Sequence, residues 1–519
     1  MQASSKCELV CFFHLVLQLS DPGCIRVTDT SPHVTCLRGK TENIELDCET
    51  QNHHDEDSDR GPGKFLNSIH DERRRNHLIP RIDLINPTCF GFDMKSQFSL
   101  IAGIAILSVA TAFTTARADW PEFRGPSAQG IYEAALPTEW SEDKNITWKK
   151  KIHGLGWSTP VILNGKAWFT TAAERGETLS LICIDTKNGD VLLDKVLVTV
   201  DNPAPLNNKM NTYATPSPVI EEGRLYVSFG SPGTFCINTE TFETIWQRRD
   251  ISASHWRGSG SSLVTWNDLV VLTHDGADQQ YHMALSKETG KTVWRADRTT
   301  NYDDEKEGRP ANSGDMRKGY STPFFVKVGD QHQMICNSAK ACWAYDPATG
   351  AEIWNVHYPT HSPSSRTVYS EALGMVFINT GLGKAEVWAI KLDSDMKGDI
   401  AETHVKWKLL KRTPKRSSPV IVDGLFFMAN DGVISCVDAE SGEVLWAERG
   451  GKDYSASLLA ADGKIYCFDE EGGCTVVKAA REFEVISENH LDSGMMASPV
   501  ASDGSLFVRT KKHLYRIEG

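Results

Sequence analysis

Ten aromatic and cationic side chains stand immediately ahead of apolar runs: Trp157, Tyr213, Trp256, Arg257, Lys318, Tyr320, Arg366, Lys415, Arg416 and Tyr454. Cations beside aromatic faces suit a planar or anionic ligand, held by charge-assisted hydrogen bonds and stacking. Solvated loop ends that satisfy local carbonyls would carry the same residues, so the fold must decide whether they meet. Other chemistry finds little support. His255 beside Trp256 and Arg257, His274 with Asp275, and His361 with Ser362 are isolated pairs and triplets. None has the His-x-x-x-His spacing of a metal site or the setting of a nucleophile elbow. No glycine loop is present to cradle a phosphate, so nucleotide-driven activity is not expected.

Two longer inserts and the cysteines complete the reactive inventory. Asn301 to Gly319 includes the acidic stretch Asp303 to Glu307, and Asp393, Asp395 and Asp399 place oxygen donors at alternating positions. The second insert lacks the full spacing and closing glutamate of a calcium hand. A solvated acidic loop that touches a partner or covers a site is expected in both places. Cys183, Cys236 and Cys436 share one repeat position with Ala284, Ala344, Ala389 and Val476, which reads as a small packing position. Cys336 with Cys342, and Cys467 with Cys474, each flank a predicted hairpin turn. Either pair could bridge adjacent strands, or a one-residue offset could turn the thiols to opposite faces.

The elements that would position these residues form a repeat. Asp346, Gly350 and Trp354 mark the cleanest copy of a phrase with an aspartate or its substitute, a glycine or similar residue four positions on, and a tryptophan after four more. Asp438 to Trp446, Ser286 to Trp294 and Asn238 to Trp246 repeat it, and Asp185 to Leu193 keeps the turn without the indole. Upstream of each phrase lies a small residue, often a proline, and then two apolar strands around a turn, as in the stretches from Ser158, Pro216, Ser417 and Ala497. Two hairpins per unit give four strands, and units recurring every ~40 to 60 residues without helical periodicity predict propeller blades. Eight units run from Trp157 to Gly519, the last one strand short. Asn145 to Ile152, with Trp148, supplies that strand from the other end. The expected fold is an all-β, eight-bladed propeller of four-stranded antiparallel blades, closed by an N-terminal strand, which leaves the ring without an open seam.

The repeated phrase resembles that of pyrroloquinoline-quinone-like (PQQ-like) propellers, and Asp119 to Pro126 resembles the entry segment of secreted bacterial members. The resemblance implies that Trp148, Trp246, Trp294, Trp354, Trp407 and Trp446 dock neighbouring blades. Quinoprotein dehydrogenases of this fold hold PQQ with calcium and use an aspartate base, so PQQ and calcium are the cofactors the resemblance implies. This chain has no adjacent cysteine pair after residue 118, and no set of positions matches their metal ligands. The chain is also similar to the propeller lipoprotein of the outer-membrane β-barrel assembly machinery, which binds protein partners, and its short loops fit that class better.

Export is read from Met94 to Ala118: a lysine, an apolar run from Leu100 to Val109, and Ala116 to Ala118 as a small-residue cleavage site before Asp119. The run is short for a membrane span, and no cysteine follows the site to carry a lipid anchor. Residues 1–93 show no periodic pattern and are expected to be a non-native extension or disordered, with Met94 the start. The first 118 residues hold 12 of 55 basic and 15 of 68 acidic side chains, leaving 43 against 53 in residues 119–519, a net charge of −10. That balance disfavours nucleic acid and anionic membranes as partners. The sequence thus points to a periplasmic or secreted scaffold that binds a protein or a small anionic or planar ligand, with a quinoprotein dehydrogenase as the alternative.

Overall fold

Short polar pairs between apolar runs fold as tight hairpins. At Asn164–Gly165, Asp423–Gly424, Asp462–Gly463 and Asp503–Gly504 both turn residues have positive φ. This is the backbone of a turn whose twist matches the flanking strands, and asparagine, aspartate and glycine tolerate it best. In the computed structural model, which describes residues 119–206 and 210–519, these hairpins build eight blades of four antiparallel strands, two of which gain a fifth, parallel strand. The expected extension, 1–93, and signal peptide, 94–118, lie outside the described residues.

Blades 1 to 7 span residues 161–199, 219–248, 264–297, 324–357, 368–409, 420–449 and 459–490. Blade 8 comprises residues 500–517 and the N-terminal strand Ile146–Lys151, which pairs antiparallel with His513–Ile517. The ring is therefore closed by hydrogen bonds between the two ends of the propeller, as the repeat count requires. Central strands are buried along their length, as in Leu425–Asn430, whereas outer strands alternate, as in Ile146–Lys151. The reason is position: central strands are covered by a blade on each face, and outer strands meet water. The core is a series of interblade layers, such as Val161, Trp168 and Cys183 against Ile220, Leu225 and Phe235.

The tryptophans sit in these layers. Indole Nε1 of Trp148, Trp246, Trp294, Trp407 and Trp446 donates to a carbonyl in the turn of the next blade, at Thr186, Lys287, Pro347, Ala439 and Ala480, over 2.9–3.1 Å. Four of these turns hold a glycine of positive φ under the ring, and a Cβ at Gly350 would stand 2.7 Å from Trp294. Blade 1 has Leu193 in place of the indole, and Phe242 then occupies the glycine position of the blade 2 turn and packs edge-on against Trp168. Trp354 differs: its Nε1 donates to Gln333 within blade 4. Blade 5 has no such turn there, because the insert through Asp393 runs back and Gly398–Asp399 pairs parallel with Trp354 and Asn355.

Register also explains the cysteines. Cys236 and Cys436 lie directly across the strand pair from Trp246 and Trp446, where a small side chain leaves room for the indole, and Cys183 takes the same place opposite Leu193. Cys336 pairs with Trp343, one residue from Cys342, and Cys467 pairs with Thr475, one residue from Cys474. Each pair therefore points to opposite faces of its sheet, into different interblade layers. All seven thiols among the described residues are buried and unbridged.

Candidate ligand site in the channel

The chain enters the ring from below. Trp120 exchanges backbone hydrogen bonds of 2.8 Å with Ile162, the Pro121 carbonyl accepts from Ile220, and the Gly130 carbonyl accepts from Ala460. Ile131–Tyr132 then adds parallel to the inner strand of blade 7. The leader thus crosses the floor of the channel and touches inner strands on several sides. Two buried guanidiniums fasten it. Arg124 donates to the carbonyls of Ser418 and Pro419 in blade 6. Arg366 donates to Pro323, to the Phe123 carbonyl and to the Glu122 carboxylate.

Above this floor the inner strands begin, and their first residues are tied in a belt. The backbone N–H of Thr159 donates to Ser217 Oγ, Ser217 to Ser262, and Ser262 to Thr322, over 2.9–3.0 Å. Arg366 donates to Ser418, Ser418 to Ser457, Ser457 to Ser498, and Ser498 back to Thr159. Every blade but the fifth thereby offers a side-chain oxygen to the blade before it. The link onward from Thr322 is missing because blade 5 carries Arg366 in the hydroxyl position, and that side chain serves the leader.

A cavity of about 410 Å³ lies above the floor, lined by all seven belt hydroxyls and by Phe123. Of the ten side chains singled out from sequence, Trp157, Arg257, Tyr320 and Arg416 line it. Trp256 and Lys318 stand just behind the wall, the ammonium 3.1 Å from the indole centroid. Arg366 is below, in the floor. Lys415 is outside, paired with Asp431 at 2.7 Å. Tyr213 lies in an outer groove with Leu155 and Arg175, and Tyr454 is buried in the layer between blades 6 and 7. Standing ahead of an inner strand does not set the height or direction of a side chain, and this is why the ten separate.

The carboxylates that face these cations are marked by no motif in the sequence. Asp315, in the insert ahead of blade 4, receives Arg257 at 2.7 Å and Lys318 at 2.7 Å. Burial alone would raise its carboxyl, but hydrogen bonds from these two hold it below the ordinary range. Burial also pulls Lys318 down to about 8. Arg416 pairs with Glu470 at 2.5 Å and Ser455 at 2.6 Å. His361 lines the cavity with Nδ1 2.9 Å from Ser362 Oγ, and burial lowers its basicity. The belt did have a sequence signal: a serine or threonine two residues before the first strand in seven of the eight units.

An eight-bladed propeller with its entry segment across the channel and a cavity above that segment defines the class, and sequence comparison places the chain within it. Residues 181–296 and 284–518 match the family model described as outer membrane protein assembly factor BamB. The chain belongs to that PQQ-like propeller family. No curated protein matches it in sequence. Among solved structures it is similar to a europium-containing methanol dehydrogenase (TM-score 0.55, 11% identity, 75% of this chain and 89% of that one). It is also similar to quinohemoprotein alcohol dehydrogenase from Comamonas testosteroni (TM-score 0.53, 13% identity, 77% and 80%). BamB from Moraxella catarrhalis aligns with a TM-score of 0.49 at 10% identity over 72% of this chain and 99% of that one. At such identities the likeness is one of fold.

The donor set does not fit calcium with PQQ. Asp315 is the one carboxylate among the described residues lining the cavity, and two cations already hold it. Calcium takes six to eight oxygens, usually including several carboxylates. No group of three His, Cys, Asp or Glu side chains able to hold a metal occurs among the described residues. In the Asp393 insert, Asp393 is bound to His404 at 2.9 Å. No helix among the described residues is long and apolar enough to cross a membrane.

Proposed function

We propose that this protein is an exported binding scaffold of the PQQ-like propeller family, which takes its ligand or partner at the channel mouth. The observation that carries this reading is the occupied carboxylate: Asp315, which lines the cavity, is held by Arg257 and Lys318. A carboxylate kept ionised by two cations is a poor general base at neutral pH. The leader reinforces the reading, since it forms a fixed floor beneath the site. Residues 119–519 constitute the exported propeller, preceded by a signal peptide at 94–118.

The test is a thermal-shift titration of the protein with PQQ, with and without calcium. A ligand that favours the folded state raises the melting temperature by linkage. The scaffold reading expects no calcium-dependent shift. A saturable shift that requires calcium would overturn it in favour of a quinoprotein dehydrogenase.

A further inference from the structure

The belt oxygens accept hydrogen bonds from backbone, but a serine or threonine hydroxyl also carries a proton to give. None of the seven donates to an acceptor among the described residues, and all seven line the cavity while being at most 6% exposed. Buried polar hydrogens are normally matched, so this ring is a set of donors facing the site.

The charge around the ring has a positive excess. Arg124 and Arg366 lie in the floor, and Arg509 donates to the Ser158 carbonyl beside Thr159 over 2.7 Å. Of these three, Arg366 has a carboxylate partner, Glu122. Burial pulls Arg124 and Arg509 down to about 9, which leaves both charged at neutral pH. At the mouth Arg257 and Lys318 share Asp315, and Arg416 has Glu470. Six cations therefore face three carboxylates around the channel of a protein whose net charge is −13. Converging donors in a positive site favour oxygen acceptors that bear negative charge.

We propose that the hydroxyl belt binds a small organic anion, carboxylated or phosphorylated, whose charged oxygens accept from the belt hydroxyls above the leader. The proposal rests on the scaffold reading and names its ligand class. A cavity of about 410 Å³ is of the size that holds an organic molecule rather than a single inorganic ion. A neutral polyol would bring donors of its own and leave the positive charge unmatched.

The experiment is calorimetric titration of the full chain with citrate, glucose 6-phosphate and glucose at constant ionic strength. It is repeated on Ser217→Thr and Ser217→Asp. The aspartate can still accept the Thr159 N–H, yet it offers no proton and adds a negative charge. Saturable binding of citrate or the sugar phosphate, but not of glucose, is expected, and the stronger of the two identifies the charged group. S217T should stay within about twofold and S217D should weaken binding by more than about tenfold, the loss of one charge-assisted hydrogen bond. Glucose binding as tightly as the anions, no saturable anion binding, or unchanged binding to folded S217D would each overturn the proposal. If S217D does not fold, the comparison of anions with glucose on the unaltered protein decides alone. Calcium-dependent PQQ binding would instead sink the scaffold reading, whatever citrate does.

Discussion

Arg366 Nη2 donates to Glu122 Oε2 over 3.1 Å, joining residues 244 positions apart. The arginine stands where seven other blades carry a belt hydroxyl, so blade 5 gives up one interblade link to hold the leader in the floor. The same guanidinium caps the Pro323 carbonyl and the Phe123 carbonyl. Removing it leaves buried acceptors and a carboxylate without a partner.

Arg366→Ala should therefore cost roughly 3–5 kcal/mol of stability, the range for breaking a buried charged network. Glu122→Gln should cost less, about 1–2 kcal/mol, since that side chain is one-fifth exposed. Denaturant midpoints measure both. Limited proteolysis should cut between residues 119 and 130 faster in R366A; equal cutting in the two proteins would mean that Arg366 does not hold the leader.

Gly350 and Gly424 separate two effects of the same substitution. Both have positive φ, but a Cβ at Gly350 would meet Trp294 at 2.7 Å while one at Gly424 meets open space. Gly424→Ala should cost about 1–2 kcal/mol from backbone strain alone. Gly350→Ala should cost clearly more, because the docked indole must shift as well. Thermal denaturation of the pair checks this, and equal losses would show that the indole is not tightly seated.

The thiols should be inert in the folded protein. Burial pushes Cys183, Cys236, Cys342 and Cys436 up to about 12, leaving almost no thiolate at neutral pH. In a protein of residues 119–519, titration with a thiol reagent should find none of the seven cysteines in the native propeller and all seven after denaturation without reductant. Fewer than seven under those conditions would reveal a disulfide.

Buried histidines in and just ahead of blade 3 should make the protein acid-sensitive. Burial lowers His255 and His274 to about 4; Lys318 beside His255 and Arg295 beside His274 push the same way, and Asp275 and Asp278 oppose them. An unfolded chain takes up these protons near pH 6.5 and the folded one refuses them until about pH 4, so stability falls as pH drops through that window. Melting temperatures from pH 8 to 4 should fall most steeply below pH 6.5. His274→Phe, which keeps the stack on Tyr281, should flatten the slope. An unchanged slope would remove His274 from the account.

Much of this was legible in the residues. The Asp-to-Gly-to-Trp phrase, the paired hairpins and the orphan strand at Trp148 determined the blade count and the closure. Each is a local rule repeated in register, and local turn chemistry survives without knowledge of distant contacts. The small residues at Cys236 and Cys436 were readable for the same reason, although the tryptophan opposite them was not. Tertiary structure decided what depends on register and height. A one-residue offset sends Cys336 and Cys342 into different layers, and sequence spacing cannot fix an offset that small. The ten cations and aromatics share a place in the repeat, yet only four reach the cavity, because the direction of a side chain at a strand entrance is set by packing. Asp315, Glu470 and Glu122 became visible only once the ring closed and brought them to Arg257, Arg416 and Arg366. Their pairing is a matter of distance in space, which the linear order of the chain does not contain.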